Sequence, residues 1–246
     1  MSLRLGCDVD GVLANFDDAY QAVARQLFNR SIEEMSPEDA AMGDIPTREA
    51  ARVWAEISRA QNWWVRLPSY EPFQIERLYR LMRSLKWEVV FFVNRPPTQG
   101  DSAQFQTQWW LETQGFYLPS VLEVQGSRGE IARALKLDLV LDDRLDQCIE
   151  IVGASQSKAI LVQRSINQAQ HDEAIGRGIG VVPSLEHALD VAERLHELVG
   201  RHPRINRLTD WFGRSEKEAL PLNPRAGRPL PEATVPDFDV PDIDLD

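Results

Sequence analysis

The amino-acid sequence predicts an α/β protein: a doubly wound parallel sheet with a small helical cap inserted after the first strand. Three observations carry this. Six short apolar runs, each bounded by turn or charged residues, read as buried strands at 3–7, 88–93, 120–124, 137–141, 159–162 and 180–182. Between them, stretches with apolar positions three and four apart read as crossover helices at 72–85, 101–114, 128–136, 144–152 and 184–198. Finally, residues 8–87 lie between the first two strands, far more chain than one crossover helix needs.

Taken in order, the first strand stops at Asp8-Val9-Asp10-Gly11, where Gly11 permits a sharp turn. The inserted cap, residues 17–66, holds helical stretches at 17–28 and 47–60 and runs out through Trp63 and Trp64. Pro68 and Pro72 bracket the return to the core, which comprises 1–16 and 67–200. Asp101 and Ser184 are the expected N-caps of the helices they begin. Residues 201–220 read as a helical extension. Residues 221–246 hold six of the 15 prolines and six acidic residues against two Arg, a composition that cannot bury enough apolar area to order itself.

Composition narrows the function. A formal charge of −11 over 246 residues disfavours a surface that binds a nucleic acid polymer by neutralising phosphates. No run approaches the roughly 20 apolar residues needed to span a bilayer. Residues 1–10 are too short and too acidic for a signal peptide, so a cytoplasmic location and no membrane partner are expected. Cys7 and Cys148 lack metal-site spacing and read as reduced core thiols.

In an open parallel sheet, ligands bind beyond the carboxyl ends of the strands where strand order reverses. The residues at those ends here are polar: Asp8 and Asp10, then Asn94-Arg95-Pro96, then Ser127-Arg128, then Asp142-Asp143-Arg144. Asp8 and Asp10, two apart on extended chain, point to one side. With Asp142 and Asp143 they form a concentration of like charge that a hard divalent cation would relieve, and Mg2+ is the natural ion because it leaves room for water and phosphate oxygens. One carboxylate of the first pair could then act as nucleophile and the other as general acid and base. Either aspartate pair alone is also an ordinary turn; it is the convergence on strand ends that points to a site.

The stretch Asp8-Val9-Asp10-Gly11-Val12-Leu13-Ala14-Asn15-Phe16 resembles the first motif of the haloacid dehalogenase superfamily of hydrolases, and within it the 5′(3′)-deoxyribonucleotidase-like branch. Residues 140–144, Val-Leu-Asp-Asp-Arg, resemble its fourth motif, and a cap between the first two strands is its usual position. The resemblance covers roughly residues 3–195. It implies a Rossmann-like core and a Mg2+-dependent phosphomonoesterase. Asp8 would form an aspartyl phosphate, and Asp10 would protonate the leaving oxygen and then activate water. Asp142 or Asp143 would complete the metal site with Asp8 and the backbone carbonyl of Asp10.

Two positions depart from the pattern. Where the second motif carries Thr or Ser, this chain has Val93, so Asn94 is the expected phosphate ligand if the strand ends there. For the cation of the third motif, Lys136 lies some 20 Å away at the wrong edge, six strand residues before Asp142, at about 3.3 Å each. Arg128, at the start of a helix, is therefore the expected phosphate-binding cation. Arg144 and Asp146 read as orienting their neighbours, and Arg95 as pairing with a carboxylate at the rim. Phe16, by resemblance to the branch, lines a base pocket that Trp63 and Trp64 would complete, although core packing is the better account of each tryptophan. The expected substrate is a small phosphorylated molecule, a nucleoside monophosphate by that resemblance. The rival expectation is a weakly catalytic relative that binds a ligand or protein through residues 210–246.

Overall fold

The computed structural model describes residues 2–29, 48–165 and 167–201. Six parallel strands form one sheet: β1 (Arg4–Asp8), β2 (Glu88–Val93), β3 (Ser120–Glu123), β4 (Leu139–Asp142), β5 (Lys158–Val162) and β6 (Gly180–Val182), in the order β3-β2-β1-β4-β5-β6. The chain starts at the centre, winds outward to β3, then crosses back beyond β1 to wind the other way. The reversal point therefore lies between β1 and β4. There Leu5, Gly6 and Cys7 stand opposite Leu139, Val140 and Leu141, which brings Asp8 and Asp142, the next residue on each strand, side by side.

Alternation along the strands builds two cores. Leu5, Cys7, Phe91, Val93, Leu139, Leu141 and Ile160 face one side, and Phe92, Val140, Ala159 and Leu161 face the other. Gly6 falls on the second side because a side chain there has no room. A Cβ would sit 2.8 Å from the Phe92 ring and 2.9 Å from Leu137. Both faces being covered is what makes these strands read as near-continuous apolar runs.

Between β1 and β2 lie α1 (Phe16–Phe28), α2 (Arg48–Arg59), a 3₁₀ turn (Trp63–Arg66) and α3 (Pro72–Leu85). Asn15 caps α1 by accepting from the Asp18 N–H, and α2 turns Ala50, Val53 and Ile57 inward. The later crossovers are α4 (Ala103–Thr113), α5 (Arg128–Leu135), α6 (Leu145–Ala154) and α7 (Gln168–Gly176); α8 (Leu185–Arg201) follows β6.

Three details differ from the sequence reading. The N-cap of α4 is Ser102, whose hydroxyl accepts from the Phe105 N–H, while Asp101 accepts from the Asn62 amide instead. Helix α7 was not expected, since Ala174 is its one buried residue and a single apolar contact leaves no periodicity to read. Strand limits shift by one or two residues, ordinary for such boundaries. Ser184 does cap α8, accepting from the His187 N–H at 3.3 Å. Cys7 and Cys148 are free and buried. The extension expected beyond Arg201 and the acidic stretch 221–246 lie outside the described residues. Among the described residues, no helix is long and apolar enough to cross a membrane.

Candidate active site

β1 ends at Asp8, and Val9 still donates to the Phe92 carbonyl before the chain turns back on itself, with the Leu13 and Ala14 N–H groups both reaching the Val9 carbonyl. Gly11 makes that turn at φ +85°, and a Cβ there would lie 1.9 Å from Asp143 Oδ2. The residue type follows from both constraints, left-handed backbone and a carboxylate pressed against it. The turn thus closes against the end of β4.

Asp8 is 3% exposed and Asp142 is fully buried; Asp143 is partly exposed. One carboxylate oxygen from each lies within 4.8 Å of the others. Arg128, the first residue of α5, reaches between the two buried ones. Its Nη2 is 2.8 Å from Asp8 Oδ1, and its Nη1 donates to Asp142 Oδ2. Asp142 Oδ1 accepts from the Arg144 N–H at 2.9 Å. Asp8 Oδ1, though near the guanidinium, has no donor hydrogen aimed at it and is sealed from solvent.

This crowding shifts the protonation equilibria. Burial pushes the Asp8 carboxyl well up, the Asp142 charge adds to it, and Arg128 offsets only part. Asp142 rises by burial against the pull of Arg128. Asp143 is pushed up to about 7 by burial and by Asp142. Burial opposes the Arg128 charge, but Asp8 and Asp142 outweigh it and push the guanidinium up.

Three converging carboxylates offer one oxygen each and could hold a hard divalent cation, which takes oxygen ligands. Asp10 is not in that group. Its carboxylate, a quarter exposed, is held by a two-pronged Arg95, with Nε to Oδ2 at 2.9 Å and Nη2 to Oδ1 at 2.7 Å. Of the aspartates expected at the metal site, the Asp8, Asp142 and Asp143 side chains come together, while the Asp10 side chain, whose expected part was its carbonyl, is held by Arg95.

A cavity of about 230 Å³ opens over Asp8, Asp10, Asp143 and Arg128, rimmed by Phe16, Asn94 and Arg144. β2 ends at Val93, whose side chain is buried in the first core, and Asn94 follows into the cavity, as the departure from the second motif required. Lys136 sits at the far end of α5 in a left-handed cap, among Arg4 and Glu88 at the amino ends of the strands. Trp63 and Trp64 do not line the cavity. They are buried behind Phe16, Trp63 edge-on to Trp64 with centroids 4.8 Å apart, and Phe16 stacks on Trp64 at 6.0 Å. A flat apolar ring beside other rings loses more by facing water than by packing, and here the packing wins.

The sequence reading missed Tyr70, Glu71 and Arg164. Tyr70 lines the cavity, under an Arg164 guanidinium 3.9 Å from its ring centroid. Arg164 donates to the Val12 carbonyl at 2.7 Å and to Glu71 at 2.7 Å, while Glu71 accepts from the first N–H groups of α8. Arg164 lies just after β5, so inspecting every strand end would have found it.

No family model matches the chain, and no curated protein matches it. Solved structures do. One is a haloacid dehalogenase-like family hydrolase from Xanthomonas campestris, at 13% identity, covering 82% of this chain and 99% of that one, with a TM-score of 0.46. Another is a haloacid dehalogenase-like family hydrolase from Streptococcus pneumoniae, at 10% identity, covering 77% of this chain and 98% of that one, with a TM-score of 0.48.

Proposed function

We propose that this chain is a Mg2+-dependent phosphomonoesterase of haloacid dehalogenase type, acting on small phosphate esters, with nucleoside 5′-monophosphates as the first class to test. The observation that carries the reading is the reversal point of the sheet. Asp8 and Asp142 lie side by side with Asp143 and a buried Arg128, and Asp10 stands two residues on at the cavity wall. The sequence motifs at 8–16 and 140–144 point the same way.

Asp8, Asp142 and Asp143 would hold the cation, whose charge would neutralise the carboxylates and polarise the phosphate when bound. In the reaction, an Asp8 oxygen attacks phosphorus and the ester P–O bond breaks as Asp10 gives its proton to the leaving oxygen. Asp10 then takes a proton from water. That water attacks phosphorus, the Asp8–phosphorus bond breaks, and inorganic phosphate leaves. Arg128, a permanent cation at the first turn of α5, supplies positive charge, and the Asn94 amide is a hydrogen-bond donor at the cavity wall. Phe16 offers an aromatic wall to a base.

Phosphate release from a panel of nucleotides and sugar phosphates, with and without Mg2+, tests this. The expected result is Mg2+-dependent release that Asp8→Asn abolishes, while equal release by the variant sinks the mechanism. One observation favours the rival, a weakly catalytic binding module. Arg128 already pairs with both buried carboxylates. If that pairing replaces the cation, Mg2+ leaves the thermal midpoint unchanged and no ester is hydrolysed.

A further inference from the structure

Arg95 leaves the end of β2 with its side chain fully buried, and each of its contacts is directional. Two donors hold the two oxygens of Asp10. A third, Nη1, donates to Thr107 Oγ1 at 2.7 Å, and the Thr107 hydroxyl spends its own hydrogen on the Ala103 carbonyl at 2.6 Å, so the threonine oxygen is left as an acceptor. The flat face of the guanidinium lies over the Trp64 ring, its carbon 4.7 Å from the centroid. Trp64 is itself pinned at two points: its indole N–H donates to the Pro96 carbonyl at 3.1 Å, and its backbone N–H donates to Gln106 Oε1 at 3.1 Å.

A two-pronged arginine fixes a carboxylate in plane and in direction, whereas a single contact leaves it free to rotate. The held carboxylate is the one facing the cavity beside Asp8. The surface that keeps the arginine in that plane comes from the 3₁₀ turn between β1 and β2, a separate element from the strand that carries Asp10. We infer that Arg95 is a positioning residue for Asp10 and that Trp64 holds Arg95 in place, so that the 3₁₀ turn inserted between β1 and β2 orients the group that gives and takes the proton. The inference rests on the phosphatase reading, and it gives Trp64 a role in the reaction without contact to the substrate.

The test exploits the leaving group. An alkoxide needs a proton from Asp10, and p-nitrophenolate hardly does, so loosening Asp10 penalises alkyl esters selectively. For the full chain with Mg2+, Trp64→Leu should lower kcat/KM for a nucleoside monophosphate about 10-fold more than for p-nitrophenyl phosphate, within the range that general acid catalysis spans. Trp64→Phe, which keeps a ring under the guanidinium, should recover most of the alkyl-ester rate. Should Trp64→Leu fail to fold, Arg95→Lys, which keeps the charge and loses the fork, should show the same selectivity. An independent readout is the Arg95 Nε–H exchange rate by NMR, assigned through its loss in Arg95→Lys. It should be slow in the wild type and faster in Trp64→Leu. Equal losses on both esters, or an Nε–H exchange that is already fast in the wild type or is unchanged by Trp64→Leu, would overturn the inference while leaving an Asp8-dependent phosphatase intact. A wild type that hydrolyses neither ester would overturn the phosphatase reading, and the role given to Arg95 with it.

Discussion

Replacing Arg128 with methionine probes the electrostatics of the site most sharply. The side chain is 10% exposed, and its two partners, Asp8 and Asp142, are 5% and 0% exposed. Methionine keeps much of the volume and removes the charge, leaving two buried carboxylates facing each other. Breaking a buried ion pair costs about 3–5 kcal/mol. The proton route gives a similar size. Keeping one carboxyl protonated at pH 8, roughly four units above its ordinary pKa, costs about 5 kcal/mol, and at pH 5 only about 1–2 kcal/mol. The carboxyls are pushed up in the folded state, so their unfavourable contribution is small when they are protonated and grows as pH rises. Urea denaturation in EDTA should therefore show Arg128→Met less stable than wild type by about 3–5 kcal/mol at pH 8 and by about 1–2 kcal/mol at pH 5. Added Mg2+ should raise the thermal midpoint of the variant more than that of the wild type, because the cation relieves carboxylates that have lost their guanidinium. A loss below about 1 kcal/mol at pH 8, or one independent of pH, would show that Arg128 does not neutralise Asp8 and Asp142.

Three further outcomes follow from single observations. Gly11→Ala must place a Cβ at φ +85° against Asp143 Oδ2, so it should cost about 1–3 kcal/mol and weaken Mg2+ binding by calorimetry, because Asp143 has to move. In the metal-free wild type, Asp143, raised to about 7, should make stability fall as pH rises from about 4 to 7; since Mg2+ needs the ionised form, the Mg2+-induced rise in thermal midpoint should grow over the same window. Val93→Thr buries a hydroxyl in the first core, away from the cavity, so denaturation should show a loss of about 1–2 kcal/mol and assays no gain in rate.

What could be read in the sequence follows from what is local. The strands were legible because sheet faces covered on both sides leave uninterrupted apolar runs, and the strand-end rule then singled out Asp8, Asp10, Asn94, Arg128, Asp142 and Asp143. Helix α7 was not legible, because a helix that buries only Ala174 imprints no period. Ser102 and Asp101 are both good caps, and which one is used depends on Asn62, 39 residues away, engaging Asp101. The tryptophans show the limit most clearly. A pocket wall and a buried packing face have the same residue type and spacing. Only the fold, which places Arg95 over Trp64 and turns both away from the cavity surface, tells them apart. The partner of Arg95 was legible in kind, a carboxylate, but choosing Asp10, 85 residues earlier, required the register of β1 against β2.

In the proposed reaction Asp8 carries the phosphoryl group. Quenching the wild type in acid during steady turnover of a nucleoside monophosphate with Mg2+, then mapping peptides by mass spectrometry, tests it directly. A phosphoryl group should appear on the peptide containing Asp8 and be absent from Asp8→Asn and from samples in EDTA. Phosphate release in the wild type without that label, and with activity retained in Asp8→Asn, would contradict it.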